Sequence, residues 1–96
     1  MTYRRNPLGY TLITGNTTAN TGVHYSATGD ITITLPAISS TVLGDEIRVK
    51  NMGTGTLTIA SNSSEKIDGS SSDYTLDVQY SSITLTSNGS TGWEII

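Results

Sequence analysis

Ile31-Thr32-Ile33-Thr34-Leu35-Pro36 (ITITLP, residues 31–36) alternates apolar side chains with threonine. Side chains two apart fall on one side of a strand, so Ile31, Ile33 and Leu35 face a core and Thr32 and Thr34 face water. Threonine branches at Cβ, which suits a pleated backbone. Pro36 cannot donate to a ladder and ends the strand. The pattern returns in Leu57-Thr58-Ile59 and in Ile83-Thr84-Leu85. Its recurrence marks a small all-β domain with a threonine- and serine-coated exterior.

Working outward, residues 10–14 (YTLIT) read as a short strand, and the Thr/Asn-rich stretch 15–22 as a loop. Residues 23–27 read as a strand with Val23 and Tyr25 on one face and His24 on the other. Residues 37–44 hold Ile38, Val42 and Leu43 at helical spacing, which fits a single helical turn or a packed loop. Residues 46–51 form a strand with Ile47 and Val49 inward and Arg48 and Lys50 outward. Asn51-Met52-Gly53-Thr54-Gly55 reads as a glycine-rich hairpin connection into the strand 56–60. A stub carries Ile67. Tyr74, Leu76, Val78 and Tyr80 share one parity, a further strand, followed by another at 82–86. Asn88-Gly89 is a strong turn dipeptide, after which Trp93 and Ile95 face inward. About eight short strands at regular spacing predict a small antiparallel β-sandwich or jelly-roll-like domain, with a small barrel left open because it needs the same strand pattern. The recurrence reads as strand grammar rather than a repeat array.

Ninety-six residues make one domain, placed at residues 10–96, and charged residues are only 14% of the chain. Residues 1–9 read as an extended polar arm, with Pro7 holding Asn6 extended. That arm is either a tether for a partner surface or a frayed terminus. With no cysteine there is neither a disulfide nor a thiolate metal site. So small a core then leaves oligomerisation as the expected support. Net charge is −3 and the cations are dispersed apart from Arg4-Arg5, which argues against dense phosphate contact. No apolar run reaches the length of a membrane-spanning helix, and no apolar segment follows Arg4-Arg5 as in a secretory signal. Synthesis in a cytoplasm without an export signal is the expectation.

Motifs for chemistry are sparse. His24 is the single histidine, and no serine sits in a G-x-S-x-G elbow. Gly53-Thr54-Gly55 lacks the lysine of a phosphate loop. Glu65, Asp68, Asp73 and Asp77 gather in an oxygen-rich stretch, which fits either a calcium loop of irregular spacing or an ordinary Asx-rich turn. The balance favours no catalytic, cofactor or metal site. The aromatics are Tyr3, Tyr10, Tyr25, Tyr74, Tyr80 and Trp93. Of these, Tyr10, Tyr80 and Trp93 are expected at an interface or in the core.

ITITLP at 31–36, GDEIRVKNMGTGTLTI at 44–59, KIDG at 66–69, YSSITLTSNG at 80–89 and the closing Trp93-Glu94-Ile95-Ile96 resemble, in that order, a family of small β modules in tailed-bacteriophage virion proteins. The resemblance covers about two-thirds of the chain and implies a non-catalytic virion part, commonly trimeric. A module of this size with a short arm is similar to capsid decoration (cement) proteins. The implied protein is a homotrimer on the outer head surface, in contact with the major capsid protein and with neither nucleic acid nor membrane. Tyr3, Arg4, Arg5 and Pro7 of the arm would touch the capsid. The alternative implied role is a tail- or head-fibre module that binds a host glycan or receptor.

Overall fold

The computed structural model describes residues 9–96. Ten strands are found there: β1 (Gly9–Ile13), β2 (Thr17–Thr18), β3 (Val23–Ala27), β4 (Ile31–Thr34), β5 (Glu46–Asn51), β6 (Leu57–Ala60), β7 (Lys66–Ile67), β8 (Tyr74–Leu76), β9 (Ser82–Ser87) and β10 (Gly92–Ile95). One sheet has the order β1-β3-β5-β9-β10-β7 and the other β2-β4-β6-β8. Among the described residues a single 3-10 turn, Ile38–Ser40, lies between β4 and β5.

Up to β6 the chain passes from one sheet to the other at every strand. Each strand lies parallel to its counterpart one circuit later: β1 on β3, β3 on β5, β2 on β4 and β4 on β6. The result is three stacked coils around a shared core. The direction then reverses. β8 runs antiparallel on β6, β9 antiparallel on β5, and β10 antiparallel on β9 with the stub β7 parallel beside it. The sheets are therefore mixed, a correction to the antiparallel expectation. Period-2 alternation fixes which face is buried and says nothing about strand direction. Parallel neighbours need a crossover, and here a strand of the opposite sheet supplies it.

Two of the three threonine-alternating stretches, in β4 and β6, lie one coil apart in parallel, while the third, in β9, runs antiparallel in the other sheet. Thr32, Thr58 and Thr75 lie in one cross-strand row, and Ile33 lies directly on Ile59. Residues 51–55 form no hairpin, because β5 and β6 belong to different sheets. Their glycines serve close stacking: a Cβ on Gly55 would stand 2.6 Å from Asp30 Oδ1 in the turn of the preceding coil.

The core is the inward parity of both sheets. Ile33, Leu35, Ile47, Val49, Leu57, Ile59 and Leu85 are fully enclosed, with Tyr25, Ile67 and Trp93 beside them. Ile38 packs into it, whereas Val42 and Leu43 project into solvent, so the helical spacing of that segment buries one residue of three. The expected strand through Tyr74, Leu76, Val78 and Tyr80 ends at Leu76. Val78 and Tyr80 fall in a turn closed by Ser81, whose N–H and hydroxyl both donate to the Val78 carbonyl.

One device joins the coils at the same point of each circuit. Asn16, just before β2, accepts a hydrogen bond from Thr32 N–H at 2.8 Å through Oδ1. Asp30, just before β4, accepts one from Thr56 N–H at 2.7 Å in the equivalent register. Each side chain satisfies a backbone donor of the next coil. Asp30→Ala is expected to lower unfolding free energy by about 1–2 kcal/mol and Asn16→Ala by about 1 kcal/mol. Urea titration followed by Trp93 fluorescence measures both.

Candidate functional surface

Tyr3, Arg4, Arg5 and Pro7 lie outside the described residues. Gly9 belongs to β1, so pairing begins one residue before the expected Tyr10 boundary.

Tyr10 stands on the outer face of the six-stranded sheet, 65% exposed. Its ring stacks on His24 with centroids 5.4 Å apart, and its hydroxyl accepts a hydrogen bond from Ser26 Oγ at 3.1 Å. The register sets Tyr10, His24 and Arg48 in one cross-strand row and Leu12, Ser26 and Lys50 in the next. Two cations, a histidine, a tyrosine and an exposed leucine thus share one face of an acidic protein. Arg48 reaches Glu46 at 3.5 Å, and both side chains are partly exposed, so the pair adds little stability.

Of the four carboxylates Glu65, Asp68, Asp73 and Asp77, the first two are engaged with backbone. Both Glu65 oxygens accept from Ile38 N–H at the start of the 3-10 turn, and Asp68 Oδ1 accepts from Ile95 N–H on β10. Among the described residues no three metal-ligating side chains converge and no pocket opens. What remains for recognition is exposed surface.

Trp93 is core: it is 1% exposed on the inner face of β10. Its indole N–H is buried without an acceptor. Tyr80 is the opposite case, 59% exposed and held with φ at +70°. A bulky side chain is rare in that left-handed region. A 2.6 Å bond from Tyr80 N–H to the Asn51 carbonyl pins the conformation. Tyr80→Gly removes the backbone strain and few contacts, so a gain of about 0.5–1 kcal/mol is expected in urea unfolding.

Two residues escaped the sequence reading. Leu12, 73% exposed on the edge strand, looked like an ordinary strand apolar. Asn51 looked like a turn residue and is fully buried. Leu12 is exposed because it shares the outward parity of Tyr10 while Ile13 takes the core side, and because β1 is outermost; a strand with apolar residues of both parities reveals neither.

Comparison of the sequence with models of protein families and with curated proteins finds no match to either.

Proposed function

We propose that this chain is a bacteriophage virion structural protein that decorates the outer surface of the capsid as a homotrimer and stabilises the assembled shell. The support is the ordered resemblance set out above. The single structural observation that favours it is the uncharged, outward-facing edge at β1, where the arm meets the body and Tyr10 and Leu12 stand exposed. Exposed apolar side chains side by side on an uncharged edge are suited to a contact surface. Each bound copy stabilises the shell by mass action, because it binds the assembled capsomers and not their separated form. The arm, with Arg4 and Arg5, anchors the body to the shell.

Quantitative mass spectrometry of purified virions tests the reading: hundreds of copies in fixed ratio to the major capsid protein are expected, and none at all would sink it. Deleting residues 1–8 is expected to abolish capsid binding while leaving the urea midpoint unchanged. Full binding by the truncated chain would remove the arm from the mechanism.

A second reading, a fibre module that binds a host glycan or receptor, is favoured by Tyr80. Strained backbone under an exposed aromatic is typical of binding sites. In that role Tyr80→Gly would gain stability and lose glycan binding together.

A further inference from the structure

We propose that β1 is a self-complementary docking edge on which a second copy of this chain pairs antiparallel, about a two-fold axis through Thr11. β1 is outermost in the six-stranded sheet. Gly9 N–H donates to the Gly22 carbonyl at 2.8 Å, and the Ile13 carbonyl accepts from Thr28 N–H at 3.1 Å. In a parallel ladder the N–H and C=O of alternate residues point the same way. Gly9, Thr11 and Ile13 therefore address β3, while the N–H and C=O of Tyr10 and Leu12 point away from the molecule. Among the described residues nothing takes them.

Edge strands are normally guarded by a charge, a proline or a bulge. The sequence of β1, GYTLI, has no charge and no proline, and its pairing to β3 is unbroken from Gly9 to Ile13. The side chains agree with the backbone. Tyr10 and Leu12 are exposed on the outer face. Thr11 points to the core side and is nonetheless exposed, whereas Tyr25 and Val49 in the same row are buried. The first coil is therefore open at its end.

A second copy satisfies all of this at once. Centred on Thr11, Tyr10 of one copy lies opposite Leu12 of the other, and each such pair exchanges both N–H···O bonds. The tyrosine ring then covers the leucine across the strands, an apolar pair on the outer face. The two Thr11 residues form the close, non-hydrogen-bonded pair, with Cα atoms about 4.5 Å apart. Moving the axis by one residue either way leaves an end of β1 unpaired. The strand thus presents the complement of its own needs, which is the requirement of a two-fold contact. A pair covers the same Tyr10 and Leu12 that the virion reading sets against the shell, so it describes the free protein and must open before the edge can face a capsid. A trimer formed through another face would be joined by it into pairs.

The full chain has no cysteine, so one introduced thiol reports its own neighbour. Thr11→Cys is expected to give a disulfide-linked dimer under mild oxidation, because that Cα spacing lies within disulfide reach. Tyr10→Cys and Leu12→Cys are expected to stay unlinked, their own-copy Cα atoms being about 8 Å apart. Leu12→Pro deletes only an outward N–H, which an edge strand tolerates. It is expected to halve the solution mass by light scattering with an unchanged circular dichroism spectrum, and Leu12→Val to keep the native mass. A native mass that Leu12→Pro leaves unaltered would overturn the proposal. So would a Thr11→Cys that links no more readily than Tyr10→Cys: neither linking is expected if residues 1–8 occupied the edge, and Tyr10→Cys linking is expected of a different register. Should Leu12→Pro not fold, the pattern of the three cysteine variants decides alone.

Discussion

Asn51→Ala is expected to destabilise the protein by about 3–5 kcal/mol, a large share of the roughly 5–15 kcal/mol that holds a domain folded. Asn51 is fully buried at the end of β5. Its Nδ2 donates to the Gly55 and Leu76 carbonyls, both at 2.9 Å, and its Oδ1 accepts from Gly53 N–H at 3.0 Å. Its backbone accepts from Tyr80 N–H and donates to the Ser81 carbonyl. One residue therefore ties the turn into β6, the end of β8 and the turn into β9, where the parallel coils give way to antiparallel strands. Alanine keeps the two backbone bonds but leaves the Gly55 and Leu76 carbonyls and the Gly53 N–H with nothing to bond, and each buried orphan costs about 1–3 kcal/mol. Leucine would fill the volume and rescue none of them, so Asn51→Leu should be as damaging. Thr54, exposed in the same turn, makes a control: Thr54→Ala should stay within about 0.5 kcal/mol of the parent. Trp93 emission in urea reads all three, and a loss below about 1 kcal/mol for Asn51→Ala would show that the network does not govern stability.

The faces of this fold were legible in the sequence, and its connections were not. Alternation placed Ile47 and Val49 inward and Arg48 and Lys50 outward, as the buried and exposed positions of β5 have them. It placed Tyr25 inward and His24 outward on β3 equally well. Strand direction left no mark, because a strand carries the same period whichever way its neighbour runs. The coils were hidden by unequal linkers: residues 19–22 join β2 to β3, while residues 35–45 join β4 to β5. β2 itself is two threonines, too short for any pattern. At Val78 and Tyr80 the parity of β8 continued after the chain had turned, and the bonds of Ser81 to Val78 could not be read from a run of serines. The candidate surface was legible at Tyr10 and Tyr80 as aromatic residues to be placed. Their exposure depends on which strand lies outermost and on where β8 ends.

Gly92→Ala should cost about 3 kcal/mol, while Gly15→Ala, at an equally ordinary backbone angle, should be neutral or gain about 0.5 kcal/mol. Gly92 has no positive φ, so handedness is not the reason for glycine. The reason is approach. Gly92 opens β10 in parallel register with Lys66 of β7, and a Cβ there would fall well inside contact with the Lys66 carbonyl. That neighbour is backbone and cannot rotate away. Gly92 is also held from its own side, since its N–H donates to Asn88 Oδ1 at 3.1 Å and its carbonyl accepts from Asn88 N–H at 3.0 Å. The only relief is to move β7, a two-residue strand at the edge of its sheet. Moving it strains the Asp68 N–H bond to the Trp93 carbonyl and the Asp68 carboxylate bond to Ile95 N–H. It also shifts Glu65, which caps the 3-10 turn at Ile38. A Cβ on Gly15 meets nothing within 4 Å, and alanine there only restricts the unfolded chain. The contrast separates close packing from turn chemistry, and equal urea midpoints for the two variants would mean that β7 yields freely. If β7 holds as the geometry requires, the Gly92→Ala loss appears with weakened hydrogen-exchange protection at Asp68 and Ile95, whose amides depend on that strand staying in place.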